Sequence, residues 1–263
     1  MPFTGKVVWI TGASSGIGEA LAYAFSRSGA RLVLSSRSVA RLNEVKNRCA
    51  SPDLHMVLPL DLLDSSDPGA KVGSVLERFG RIDILVNSGG ISQRSLVCET
   101  GLDTDRRIME TNFFGTVALT KAVLPSMLER RSGHVVVVSS LVGKFGTPLR
   151  SAYSASKHAL HGFFDSLRAE VCDKGILVTV VCPGFIKTNI SINALTADGS
   201  CHGSMDDAQA AGMTADVCAE KMLKAIDAGK EEVFIGGKEL LGVYLKRFAP
   251  GIFSRMIARA KVT

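Results

Sequence analysis

Apolar residues along this chain fall into two alternating patterns. Short runs such as Lys6-Val7-Val8-Trp9-Ile10 and Val135-Val136-Val137-Val138 are apolar at nearly every position, which marks strands buried on both faces, as in a parallel sheet. Between them lie stretches with apolar residues at helical spacing, for example Val39, Leu42 and Val45. The runs predict strands at residues 6–10, 31–36, 55–60, 82–87, 135–140, 176–181 and 233–235. The periodic stretches predict helices at 19–29, 38–49, 67–79, 103–131, 151–174 and 214–228. Within the longest of these, Asn112 is a poor helix former and predicts a break or bend. Strands alternating with helices predict an α/β fold, a doubly wound parallel sheet of about seven strands with helices on both faces. At 263 residues the chain fits a single domain. Residues 185–213 show no clear period and are expected to form a substrate loop, as long connections of this kind often do.

Composition narrows the partners. The net charge of +6 is spread along the chain, and no Lys/Arg run interleaves with aromatics, so no nucleic acid is expected. The charge suits an anionic cofactor, an anionic substrate or an acidic membrane surface. The six cysteines, Cys49, Cys98, Cys172, Cys182, Cys201 and Cys218, contain no C-x-x-C pair, and the sequence nominates no metal ligands. Cys182 ends an apolar run and is expected to be a small buried hydrophobe. Reduced thiols in a reducing, cytoplasmic setting are the expectation. No segment approaches the ~20 continuous apolar residues of a membrane span.

In an open parallel sheet, ligands bind beyond the carboxyl ends of the strands. The unusual residues collect there. Thr11-Gly12-Ala13-Ser14-Ser15-Gly16-Ile17-Gly18 forms a strand-to-helix turn, where glycines allow close backbone approach and the helix start offers an anion site suited to a pyrophosphate. Ser14 and Ser15 can add hydroxyl donors. At the end of the second strand an NAD enzyme needs an acid for the ribose 2′-OH; this chain has Ser36 and then Arg37, whose planar fork suits a 2′-phosphate. The expected cofactor is therefore NADP(H), unless Arg37 is simply a surface arginine. Tyr153 and Lys157 lie four apart on a predicted helix and share a face. A lysine cation near a phenol favours the phenolate and brings its pKa toward neutrality. Ser140, at the end of the fifth strand, can bind a substrate oxygen beside that phenol.

Taken together, Thr11 to Gly18, Asn87 to Gly90, Ser140, Tyr153/Lys157 and Pro183-Gly184 resemble the short-chain dehydrogenase/reductase family in order and spacing over nearly the whole chain. The resemblance implies a Rossmann-like fold with Tyr153 as acid/base, Ser140 orienting a substrate carbonyl and Asn112 holding a water in a proton relay. Lys157 would hold the nicotinamide ribose and lower the Tyr153 pKa. Gly12, Ser14, Ser15, Gly16, Ile17, Gly18, Arg37, Asn87 and Gly89 would bind the cofactor, with Asp61 and Leu62 on the adenine side. Ile186 and Thr188 match positions that contact the carboxamide and phosphates. One departure stands out: the family usually reads Asn-Asn-Ala-Gly where this chain has Asn87-Ser88-Gly89-Gly90. Ser88 lacks an amide that could brace the central strand, so some loss of local rigidity is expected.

Further runs, including Glu110 to Gly115 and Arg150-Ser151-Ala152-Tyr153, resemble the family's member 7 group. That resemblance implies a lipophilic substrate: a steroid, a retinoid or an acyl/alkyl-dihydroxyacetone phosphate. The group carries an N-terminal membrane anchor; this sequence starts Met1-Pro2-Phe3, which suggests a soluble homologue or a shortened form. Residues 240–263 mix apolar residues with Lys246, Arg247, Arg255, Arg259 and Lys261. Such a basic amphipathic tail either lies on an anionic membrane, of the endoplasmic reticulum or elsewhere, or packs over the substrate cleft or a partner subunit. The helices near 103–131 and 151–174 carry surplus apolar residues (Phe113, Phe114, Leu119, Leu124, Leu160, Phe163, Phe164, Leu167), and the family pairs through these helices, so a homodimer or homotetramer is expected. The leading function is an NADP(H)-dependent oxidoreductase acting on a lipophilic carbonyl or alcohol. The alternative is a catalytically idle NADP(H)-binding regulatory or scaffold protein.

Overall fold

The computed structural model describes residues 2–64 and 67–260. In chain order the elements are β1 (Val7–Thr11), α1 (Gly16–Arg27), β2 (Arg31–Ser35), α2 (Val39–Arg48), β3 (Met56–Val57), α3 (Pro68–Phe79) and β4 (Ile84–Asn87). There follow α4 (Leu102–Met109), a π-helical turn (Glu110–Phe114), α5 (Gly115–Glu129), β5 (Gly133–Val138), α6 (Ser151–Val171) and β6 (Ile176–Pro183). The rest comprises β7 (Ile186–Lys187), α7 (Asp207–Ala210), β8 (Met213–Thr214), α8 (Ala215–Asp227), β9 (Glu232–Ile235), α9 (Leu241–Phe248) and α10 (Pro250–Ile257).

Seven strands form one parallel sheet in the order β3-β2-β1-β4-β5-β6-β9. Successive side chains on a strand point to opposite faces. Val8 and Ile10 therefore pack under α1, α2 and α8 against Leu21, Phe25, Leu42 and Met222. Val7 and Trp9 pack on the other face against Val75, Leu119, Leu160 and Phe164 from α3, α5 and α6. The indole of Trp9 donates to Ser35 Oγ at 2.9 Å, and that hydroxyl donates to Leu58 O at 2.7 Å, so the buried polar atom is satisfied. Local chemistry sets the helix ends. Asp67 caps α3 by accepting from Ala70 N at 2.8 Å, Pro68 starts it, and Gly80 stops it at φ +72°.

The expected seven-stranded fold is the observed one. The differences lie at edges. The third strand pairs only over Met56–Val57. Leu58 N and Leu60 N still bond to Leu34 O and Ser36 O, and Pro59 between them, which has no N–H, sits where the backbone of this edge strand faces away from β2. The break expected near Asn112 is the π-helical turn, which inserts an extra residue into an otherwise continuous helix. The aperiodic stretch after β6 is pinned at its base by the β7–β8 pair, Ile186↔Met213 and Lys187↔Thr214. The tail becomes two short helices as far as residue 260; Lys261 lies outside the described residues. Of the apolar residues assigned to a subunit contact, Leu119, Leu160, Phe164 and Leu167 are buried within this chain. Phe113, Leu124 and Phe163 are half-buried and Phe114 is exposed.

Candidate active site

Strand order reverses between β1 and β4: β2 lies on one side of β1, and β4 and β5 continue on the other. The crossovers leave in opposite directions there and open a crevice at the carboxyl ends. The structure has a cleft of about 830 Å³ in that place. Gly12, Ser14, Ser15, Gly16, Ile17, Gly18, Arg37, Asp61, Leu62, Gly89, Ser140, Tyr153, Lys157, Ile186 and Thr188 all line it. Two nominated residues do not. Asn87 is buried beneath the cleft, its Nδ2 donating to Thr120 Oγ1 at 3.1 Å. Asn112 is fully buried in the π-helical turn.

At the β1–α1 turn, Gly12 has φ +67°, and a Cβ on it would meet Gly89 Cα at 2.8 Å. The two glycines bring the ends of β1 and β4 into direct backbone contact. Thr11 Oγ1 completes the joint by accepting from Ser88 N and Gly89 N, each at 3.1 Å. The bracing expected to suffer from Ser88 is thus supplied by Thr11 and by the Asn87–Thr120 bond. Gly16, at φ +59°, opens α1 and faces Thr188, whose Cγ2 would lie 3.1 Å from a Cβ there. Ser15 makes no capping bond, so the first turn of α1 presents its N–H groups to the cleft. At the end of β2, exposed Arg37 and Arg41 flank Ser36, whose buried hydroxyl has no hydrogen-bond partner.

Across the cleft, the Tyr153 and Lys157 side chains project from α6. Lys157 Nζ donates to Val138 O at 2.8 Å and stands 5.7 Å from the centre of the Tyr153 ring. Burial lowers its pKa to about 8. Burial also raises the Tyr153 phenol above its usual 10; the Arg150 guanidinium, a hydrogen bond with Ser140 and the Arg94 guanidinium pull it back. The expected source of that pull was Lys157. Lys157 directs a proton at a strand carbonyl, and the Arg150 and Arg94 guanidiniums add positive charge beside the phenol. Ser140 Oγ donates to Pro183 O at 3.3 Å, placing the hydroxyl between the phenol and the end of β6. Asn112 sits behind this pair: its Oδ1 accepts from Ile91 N at 2.8 Å, and its Nδ2 donates to Ile91 O at 2.9 Å and Ser156 Oγ at 3.0 Å. With both amide protons committed, its side chain clamps the loop after β4 to α6.

The structure adds residues that sequence reasoning did not nominate. Gln93, fully buried, accepts on Oε1 from Ala152 N at 2.9 Å and Tyr153 N at 3.4 Å, capping the helix that carries the phenol. Arg94 holds Asp206 with both Nε and Nη2, and Arg150 Nη2 donates to the same carboxylate at 3.0 Å. All three are buried. One carboxylate from the stretch after β6 thus ties two guanidiniums beside Tyr153. Arg94 and Asp206 stand 112 positions apart, so no local spacing could have signalled the contact. The fold also gathers His161, Cys182 and Glu232 beneath the cleft. There the Lys144 ammonium lies 2.6 Å from the Glu232 carboxylate and Ser139 Oγ lies 3.0 Å from the His161 ring, so these groups already have partners. Cys182 is fully buried, and burial raises its thiol pKa.

A dinucleotide-sized cleft at the switch point, with a glycine turn at one end and a Tyr–Lys pair at the other, defines an oxidoreductase of the short-chain dehydrogenase/reductase family, and the chain belongs to that family. The model of the short chain dehydrogenases matches residues 6–198. Among curated relatives, the chain is 47% identical over 260 residues to dehydrogenase/reductase SDR family member 7B of Bos taurus, covering 96% of this chain and 80% of the relative. It is 45% identical over 264 residues to the SDR family protein 7-like of Drosophila melanogaster, covering 98% and 81%. A short-chain dehydrogenase from Streptomyces avermitilis superposes with a TM-score of 0.82 at 30% identity, covering 96% of each chain. A short chain dehydrogenase/reductase from Burkholderia phymatum, solved in complex with NAD, shares the fold with a TM-score of 0.84 at 22% identity over 96% of each chain.

Proposed function

We propose that the protein is an NADP(H)-dependent oxidoreductase that transfers hydride between the nicotinamide and a carbonyl or hydroxyl of a lipophilic substrate, a steroid, a retinoid or an acyl/alkyl-dihydroxyacetone phosphate. The observation that carries this reading is the meeting in one cleft of Arg37, Arg41 and a partnerless Ser36 hydroxyl with a phenol that has Ser140 and Lys157 beside it. The nicotinamide cofactor of this family fits the residues present. Gly12 to Gly18 and the α1 N-terminus would take the pyrophosphate, and Arg37, Arg41 and Ser36 the 2′-phosphate. Asp61, Leu62 and Gly89 would border the adenosine, with Asn87 beneath them holding the end of β4 to Thr120. Ile186 and Thr188 would meet the carboxamide and phosphates. Lys157 would hold the ribose.

When bound, the cofactor supplies or accepts the hydride. The protein manages the proton. With its pKa raised by burial, Tyr153 keeps its proton at neutral pH and can donate it to a carbonyl oxygen that Ser140 orients. The Arg150 and Arg94 guanidiniums then stabilise the phenolate left behind. The cleft wall at that end includes Leu141, Val142, Phe145, Phe253 and Ile257, an apolar lining that fits a lipophilic chain. The eight helix residues around Phe113 and Phe163 leave a narrower apolar surface than expected, centred on Phe114, on which we propose the homodimer or homotetramer forms. The six free cysteines fit a reducing, cytoplasmic setting.

The test is NADPH oxidation by purified protein against steroids, retinals and acyl-dihydroxyacetone phosphate, with calorimetry of NADP⁺ and NAD⁺ binding. NADP⁺ is expected to bind more tightly. Arg37→Ser should weaken it about 10–100-fold, the loss of a charge-assisted hydrogen bond worth ~1.5–3 kcal/mol, and leave NAD⁺ unchanged. Equal binding of both nucleotides by the unaltered protein would refute the NADP(H) assignment. Tight cofactor binding with no turnover of any carbonyl would favour the idle binding protein.

A further inference from the structure

The α9–α10 hairpin has two faces. The inner face packs on the body of the molecule. Phe253 is buried with its ring 5.0 Å from that of Phe145, and Val243, Leu245 and Ile257 join the same core. The outer face is bare. Leu241, Tyr244 and Phe248 recur at helical spacing along α9, and Ile252 and Met256 continue the row on α10. Leu241 is 70% exposed, Phe248 80% and Ile252 62%. Exposed apolar rows of this kind mark a contact surface.

Charge identifies what the surface meets. Residues 240–260 include Lys246, Arg247, Arg255 and Arg259, all exposed, and no acidic residue. Lys246 sits over the ring of buried Phe253 on the inner side, but an apolar row accompanied by Arg247, Arg255 and Arg259 matches an anionic lipid interface, where the side chains enter the acyl boundary and the cations meet headgroups. A second copy fits poorly: a two-fold contact places each patch on itself, bringing six arginines together at a dry interface. Crossing a bilayer is excluded for these helices by length, since eight residues span about 12 Å. Among the described residues no helix is long and apolar enough to cross a membrane.

The same hairpin walls the cleft. Gly242, Phe253, Met256 and Ile257 line it, and Met256 is also half exposed on the outer row. We infer that the hairpin lies on an anionic membrane surface with Leu241, Tyr244, Phe248, Ile252 and Met256 in the lipid, so that the cleft mouth beside Met256 opens onto the lipid phase. The benefit to a lipophilic substrate rests on the proposed function. The membrane seat itself does not, and none of its readouts uses turnover.

The test takes the full chain with vesicles of phosphatidylcholine alone or mixed with phosphatidylserine. Binding should appear on the mixed vesicles and fall as salt rises. The double variant Phe248→Ser/Ile252→Ser, which touches no cleft residue, should lose about tenfold or more of that binding, with its melting temperature unchanged because both side chains are exposed. Arg247→Glu/Arg255→Glu should lose binding to the anionic vesicles as well. A chain that stays in the supernatant with both vesicles, or a serine variant that binds like the original, overturns the proposal. So does light scattering in which the serine variant turns a dimer into a monomer, for the face would then be a subunit contact. To place the mouth, a tryptophan is put at Ile252 or at Met256 and quenched with brominated lipid. The single native tryptophan, Trp9, is fully buried and gives a constant background. Both variants should be quenched; quenching at 252 without quenching at 256 would show that the mouth faces away from the lipid. If vesicles bind and no carbonyl is reduced, the membrane seat stands and the oxidoreductase reading fails.

Discussion

The two ends of the cleft are built in different ways. The nucleotide end is made of backbone: a glycine turn, the first turn of α1 and the β1–β4 joint, all within the sheet that forms the core. The end proposed for the substrate is made of side chains from distant parts of the chain, with Arg94, Arg150 and Asp206 locked into one buried ion cluster and a helical hairpin forming part of the wall. Backbone sites depend on fold and tolerate side-chain change at their edges. Ion clusters depend on each member, because removing one leaves the others buried and uncompensated. Apart from its glycines and Arg37, the nucleotide end should therefore tolerate side-chain changes, and the end proposed for the substrate should be brittle.

The largest effect should fall on chemistry alone. Tyr153→Phe removes one hydroxyl and keeps the ring, so turnover should drop by ~10²–10⁴ while NADP(H) affinity and the melting temperature hold. A folded variant within about threefold of normal turnover would show that Tyr153 is not the acid. Asp206→Ala tests the brittle end. It leaves two buried guanidiniums facing each other, and urea unfolding should show a loss of ~3–5 kcal/mol. KM should rise with the nucleotide Kd unchanged; an equal change in both would dissolve the distinction between the two ends.

A smaller effect comes from two buried histidines, one at the start of β5 and one on α6. Burial lowers His134 to about 4, where its ring bonds Thr179 Oγ1 at 2.8 Å. Burial, aided by the Lys144 cation, lowers His161 to about 4 beneath the substrate end. In the unfolded chain both titrate near 6.5. Between pH 6.5 and 4 the unfolded state therefore binds more protons, so stability is full above 6.5 and falls as pH drops toward 4. Melting temperatures across that window should decline less steeply in His134→Gln, which keeps a partner for Thr179. An unchanged slope would mean that His134 does not remain neutral in the folded protein.

Much of this was legible in the residues themselves. Strands apolar at every position can only be buried on both faces, which requires a parallel sheet with helices above and below. Glycines on a strand-to-helix turn allow a ligand or a backbone to come close. Tyr153 and Lys157 share a face because a helix repeats every 3.6 residues. These are local facts, set by periodicity and by the conformations each residue allows. Only the tertiary structure brought Asp206 to Arg94 and Arg150, committed the Asn112 amide to the Ile91 backbone, and turned the Lys157 ammonium toward Val138. Charges 112 positions apart meet through the packing of whole elements. A side chain's pKa follows from which neighbours that packing supplies, and spacing along the chain carries no record of it.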